Sequence, residues 1–396
     1  MRERALAVLG LIALVAACGD TAERPATTTF DTLPGGAVVA RNGRAGAWDS
    51  AATWRFVELT RIGAIEGDGP DVFGDVRDIE VDALGRVWVL DAQQKRVEVF
   101  ERDGRHVRTV GRPGSGPGEF EYPIGLELDP LGRVWVLDPR NTRYSVFDSA
   151  GVLVASHRRE STYTPWVWEG GISDDGRVYD TSVIYEAAPP GRDVLIERDT
   201  AGAVRDTIEL PRFEQAVYEV RVNGTLMQTV SVPFTPRLDW ELADDGTFWS
   251  GVSDDYRLVQ QSIAGDTLRI IEKEWTPVAV PAEERDAWLA QDWVEDLRRQ
   301  GADIDPGRVP AHKPAWGGFW LDDRGYVWVV ATPPADTAQD SVAFDIFDPE
   351  GRYLGAVSLG SRRASRPLIR GADVYFVEYG EMDEPNVIIG RLEGRD

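Results

Sequence analysis

Several cations and large aromatics stand just ahead of strand-like runs: Arg77, Tyr122, Trp166 with Trp168, Arg237, Lys313 with Trp316, and Arg366. A guanidinium fork pairs with a carboxylate or phosphate through two parallel N–H···O bonds. Gathered at one mouth, these side chains would form an anion-binding funnel for an anionic or aromatic small ligand, or for an acidic peptide or protein. The 67 Asp and Glu residues offer each cation a nearby partner instead. Which reading holds depends on how the chain places them.

Other chemistry is thinly represented. There is no G-x-S-x-G, no H-E-x-x-H and no phosphate loop. The three histidines, His106, His157 and His312, fall on two different outer strands and in an insert, so no triad or three-His metal site is expected. Asp91 and Asp138 close the second strand of a repeated unit, where a carboxylate bonds loop backbone. The Asp-Asp-Gly turns at 174–176 and 244–246 lack the ligand spacing of a calcium loop. One cysteine excludes disulfides and thiolate zinc sites, and a formal charge of −24 argues against nucleic acid as a partner. No catalytic residue is assigned, and no cofactor is expected.

The elements that must position these residues announce themselves by repetition. "LGRVWVLD" occurs at 84–91 and again at 131–138. Each copy lies in a unit of four short β runs joined by Gly turns: strands at 78–82, 86–91, 96–100 and 106–110, then a second set. Fainter copies follow, and their second-strand aromatics are Trp88, Trp135, Tyr179, Trp249, Trp328 and Tyr375. Val87, Trp88, Val89 and Leu90 are apolar on both strand faces, as a sheet packed between two others requires. Six such units predict an all-β, six-bladed β-propeller.

The last unit, ending "NVIIGRLEGRD", lacks a fourth strand, and Trp54–Leu59 is expected to supply it and close the ring. Turns between first and second strands, and between third and fourth, are short and share one face. Every long segment lies on the opposite, upper face, including inserts at 211–237 and 276–314. The first predicts a hairpin about Asn223-Gly224. The second predicts one helix from about Ala282 to Gln300, stopped by Gly301, with Leu289, Trp293 and Leu297 as an apolar stripe and Trp288 beside it.

The stretch from Arg108 to Val154 resembles an NHL repeat. It has a G-x-G-x-G-x-F lead-in at 114–120, the D-x-x-G-R-V-W-V turn and strand from Asp129, and N-x-R-Y-x-V-F at 141–147. The whole repeat region resembles bacterial six-bladed propeller lipoproteins related to NHL proteins. That resemblance implies fold and envelope location; function does not follow from it. The alternative to a non-catalytic binding propeller is a metal-dependent (Ca²⁺ or Zn²⁺) hydrolase, lactonase or lyase. It would need carboxylates of the inner strands to face the axis.

The N-terminus reads as targeting. Arg2 and Arg4 precede an apolar run at 5–17, and Val15-Ala16-Ala17-Cys18 resembles a bacterial lipobox. The expected organisation is a signal peptide at 1–17, a lipid on Cys18, a flexible linker over 18–50 and a propeller over 51–396. Acyl chains on Cys18 would hold a monomer at the cell envelope, with the anchor as its sole membrane contact.

Overall fold

The computed structural model describes residues 28–48, 53–161, 165–185, 191–222, 225–333, 341–361 and 365–395. The expected signal peptide, Cys18 and the Asn223-Gly224 turn lie outside them. Six antiparallel blades form a ring. The first runs from Val76–Val81 at the axis to His106–Val110 at the rim, and the second from Gly125–Leu128 to Leu153–Arg158. The third spans Gly171–Ile172 to Val204–Glu209, the fourth Leu238–Leu242 to Thr267–Lys273, and the fifth Trp316–Leu321 to Tyr353–Ser361. The sixth contributes Leu368–Arg370, Asp373–Tyr379 and Pro385–Glu393.

The repeated octapeptide has a local cause. Gly85 and Gly132 take φ of 77° and 71°, the left-handed region in which a side chain is strained. The aspartate before each turn fastens it: Asp82 Oδ1 accepts from the backbone N–H groups of Leu84 at 2.9 Å and Arg86 at 3.0 Å. Its Oδ2 accepts from Arg86 Nε at 2.7 Å and Trp88 Nε1 at 3.0 Å. Asp129 repeats all four bonds with Leu131, Arg133 and Trp135. The far-end aspartates bond loop backbone as the sequence suggests, Asp91 through Gly74, Asp75 and Gln94 and Asp138 through Glu121, Tyr122 and Asn141. Val87, Trp88, Val89 and Leu90 between these clamps are wholly buried.

Ring closure is as expected. Arg55–Ile62 pairs antiparallel with Pro385–Glu393 and completes the sixth blade. Arg395, itself buried, donates to Asp322 of the fifth blade at 2.7 Å.

Two expectations are corrected. Residues 28–48 are not a spacer: Val38–Asn42 adds in parallel to the fourth blade's outer strand, and Thr28–Thr32 pairs onto it. The Asn42 side chain donates to the carbonyls of Glu272 at 3.1 Å and Gly351 at 2.9 Å and accepts from Tyr353 N at 2.8 Å, joining blades four and five. A short Val-Val-Ala run flanked by Thr and Gly carries too little periodicity to declare this. The insert helix is also two helices, α1 (Ala282–Leu289) and α2 (Asp292–Arg299), separated where Gln291 is extended. Asp292 and Glu295 in the first turn of α2 and Arg298 and Arg299 in its last favour a separate start there. The break shifts the helical phase, so Val294 and Leu297 are buried against Tyr218 and Val220 of the hairpin insert while Trp293 stays exposed. Hairpin and helices therefore share a satellite core of their own.

Candidate functional site

The eight residues singled out in the sequence separate into four groups. Arg77 Nε donates to Asp75 Oδ2 at 2.7 Å, and its terminal nitrogen to the Trp166 carbonyl at 2.9 Å and the Tyr122 hydroxyl at 3.4 Å. Its guanidinium carbon lies 5.4 Å and 5.6 Å from the Tyr122 and Trp166 ring centres, so these three residues form one cluster. Lys313 Nζ stands 2.7 Å from Glu284 of α1 and ties the helical insert down. Trp316 is corrected outright: it is fully buried between blades four and five among Trp249, Tyr256 and Phe319, with its indole N–H on the Asp255 carbonyl at 2.9 Å. It presents no exposed surface to the axis. Trp168, Arg237 and Arg366 alone line a common cavity.

The cations in these groups are already engaged. Arg366 donates to the Glu241 carboxylate, and Arg237 donates to the Gly317 carbonyl beside Asp239. The alternative reading of the sequence, cations matched to nearby acids, describes Arg77, Lys313 and Arg366.

The inner strands instead bring carboxylates to the axis. Asp78 and Glu80 sit two apart on the first blade's inner strand, and Asp239 and Glu241 two apart on the fourth's. A strand's side chains alternate, so each pair shares a face. Asp78 Oδ2 accepts from Leu126 N of the second blade at 2.9 Å, and Asp239 Oδ2 from Phe319 N of the fifth at 3.2 Å. The same clasp thus recurs on opposite sides of the ring. A Cβ on Gly318, whose φ is +151°, would stand 3.0 Å from Asp239 Oδ2, which explains the glycine immediately before Phe319.

Deeper in, Arg370 lies 3.5 Å from Glu80 and 3.7 Å from Asp244. Burial and the Glu80 charge push the Asp78 carboxyl up to about 7. Burial, reinforced by Glu80 and Asp78, holds Glu127 well above the usual carboxylate range. Burial likewise raises Glu80, Asp239 and Glu241, while the more open Glu169 and Asp244 are raised by partial desolvation at the cavity and channel walls together with the carboxylates around them. Among the described residues, no three Asp, Glu, His or Cys side chains gather as a metal's ligands would.

The cavity itself occupies about 440 Å³. Trp320, Val330, Val342, Phe344 and Leu359 of blade five and Phe376 of blade six form its apolar wall. Glu169, Arg237, Asp239, Glu241 and Arg366 form its charged side. Glu169 is exposed there and has no ion-pair partner among the described residues; the charges around it are those of Asp193, Asp180 and Asp239. The buried Thr181 hydroxyl approaches Glu169 but makes no hydrogen bond of ordinary geometry. Sequence reasoning missed Glu169, Asp239, Glu241, Asp78, Glu80 and Glu127. Asp-x-Glu at the same strand position in two blades was the available signal.

Residues 71–152 match a family model described as a 6-bladed beta-propeller. No curated protein matches the sequence. Among solved structures, a Bacteroides fragilis protein described as exported is 10% identical, with a TM-score of 0.51 over 90% of this chain and 99% of its own. A duf4221 family member from Bacteroides vulgatus is 9% identical, with a TM-score of 0.51 over 86% of this chain and 98% of its own. A Xanthomonas campestris gluconolactonase is 12% identical over 81% of this chain and 88% of its own, with a TM-score of 0.40 that is too low to argue from. These likenesses show a fold.

Proposed function

We propose that this six-bladed propeller is a non-catalytic binding protein of the bacterial envelope, tethered through a lipid on Cys18, whose ligand sits in the cavity between the axis and blades five and six. The observation that carries the reading is the cavity's two-sided construction. Its size falls within the roughly 300–1,000 Å³ of small-molecule sites, and an apolar wall facing a few charged groups is their usual make-up. Binding is favoured over catalysis because the charged groups are largely committed: Arg366 to Glu241, and both Asp239 oxygens to the backbone N–H groups of Trp240 and Phe319.

The test is a thermal-shift screen of small molecules against the full chain in detergent and against Val330→Phe, which narrows the cavity. The expected result is ligands that raise the melting temperature of the parent and not of the variant. Stabilisation that is equal in both would place the site elsewhere. Mass spectrometry of the membrane-extracted N-terminus checks the anchor, with diacylated Cys18 as the first residue. An unmodified N-terminus downstream of Cys18 would remove it.

A further inference from the structure

Resting on that binding cavity, we infer that its ligand is cationic and amphiphilic: a protonated amine carried on an apolar or aromatic body. The body's place follows from the wall, where Trp320, Val330, Val342, Phe344, Leu359 and Phe376 present hydrocarbon and ring surface, with the Trp320 indole N–H as the one polar side-chain group among them. The head's charge follows from the opposite side. Three carboxylates, Glu169, Asp239 and Glu241, face two arginines there. Both arginines are spoken for, Arg366 by Glu241 and Arg237 by the Gly317 carbonyl and the neighbouring Asp239.

Glu169 is left as the unmatched charge, exposed to the cavity and surrounded by further carboxylates. Along the axis, Asp78, Glu80 and Glu127 act on the same region, and Arg366 is drawn towards both Asp78 and Glu127 as well as Glu241. An anion entering here would have to displace Glu241 from Arg366, or the Gly317 carbonyl from Arg237, and then sit among the remaining acids. An ammonium group meets the opposite situation: its charge offsets the excess, and its three N–H donors match acceptors that lack partners. The anion expected from the sequence fits poorly, because counting cations before the inner strands omitted the acids within those strands.

The experiment is calorimetric titration of the full chain in detergent with 3-phenylpropylamine, 3-phenylpropanol and 3-phenylpropanoate, three probes that share one body and differ in the head. The amine is expected to bind about tenfold or more tightly than the alcohol, as charge-assisted hydrogen bonds allow. Glu169→Gln should cut amine affinity by about the same factor and leave the alcohol unchanged. Val330→Phe, with Val342→Phe as a second block in case the first fails to fold, should weaken amine and alcohol alike. If the alcohol or carboxylate binds as tightly as the amine and is still lost in the blocked variants, the cavity is the site and the inferred charge is wrong. If none of the probes binds, or the blocked variants bind as well as the parent, the cavity reading fails and this inference with it.

Discussion

At the scale of single residues, position within a strand decides what a side chain does. Trp328 and Trp320 both line the interior of blade five, yet only the Trp328 indole N–H has an acceptor, Asp322 Oδ2 at 2.9 Å; the buried Trp320 N–H has none. Trp328→Phe should therefore destabilise the fold by about 1 kcal/mol more than Trp320→Phe, the net worth of one buried hydrogen bond. Equilibrium denaturant unfolding of the two variants measures the difference, and equal losses would mean that the Asp-Trp clamp contributes only packing. Asp78 supplies a pH test. Its folded-state value of about 7 lies above the roughly 3.9 of an unfolded aspartate. The native state therefore holds a proton that the unfolded chain has released, and stability is lost as pH rises through this window, fully so above 7. Asp78→Asn removes that titration, so the melting temperature of the variant minus that of the parent should become more favourable between pH 5 and pH 8. A difference that is flat or reversed would place the Asp78 proton elsewhere. The loop-bonding role of Asp91 and Asp138 was legible in the sequence because both close the same repeated strand; the Asp-Trp clamps were not, since nothing in the repeat says which side chains meet. The axial acids were not, since only the register of the inner strand tells which side of it faces the axis.

Elements are joined by buried polar clasps as much as by sheet edges. Between blades two and three, Arg159 Nε meets Asp180 Oδ2 at 2.6 Å, and Tyr144 donates to the same oxygen at 2.6 Å, all out of contact with water. Between blades four and five, Tyr256 and Tyr353 donate to Asp345 at 2.6 Å and 2.7 Å, with Lys273 3.1 Å away. Removing one member of such a pair leaves its partner charged and buried, so Arg159→Ala should cost about 3–5 kcal/mol. By contrast, Arg55→Ala, which breaks an exposed pair with Glu393, should cost about 1 kcal/mol or less. Chemical denaturation of both variants provides the comparison. The blades themselves were legible as two-sided apolar strands between Gly turns, but the clasps were not. Tyr144 and Asp180 lie in different repeats, and nothing in either repeat names its partner. The insert helix was misread for a related reason: a stripe drawn at helical spacing assumes one unbroken helix, and Gln291 interrupts it.

The whole molecule depends on how its ends are used. A ring whose last blade is completed by an N-terminal strand must hold that strand against every fluctuation of the seam. Here Arg55–Ile62 pairs along Pro385–Glu393, and Arg395 is buried over Trp54 with its guanidinium on Asp322. Ahead of that strand, residues 28–48 brace the rim from blade four to blade five: Ala40 is wholly buried, Asn42 bonds backbone of both blades, and Ala47 and Trp48 donate to the Tyr353 and Leu354 carbonyls. The two layers do different work. Losing the brace strips hydrogen bonds from the outer strand Thr267–Lys273 and leaves the Glu272 and Gly351 carbonyls to water, but the ring remains closed. Losing Arg55–Ile62 as well exposes the whole third strand of blade six, including Val387, Ile388 and Ile389, as an open hydrophobic edge. Chains that begin at Thr28, Thr53 and Gly63 should therefore fall in a fixed order. The first should melt with the full chain, the second several degrees lower in a single cooperative transition, and the third should aggregate or unfold in stages. Scanning calorimetry with light scattering reads both properties at once. If the chain beginning at Thr53 melts with the full chain, the brace adds nothing. If the chain beginning at Gly63 stays monomeric and cooperative, the seam is held by side chains alone and the strand is dispensable.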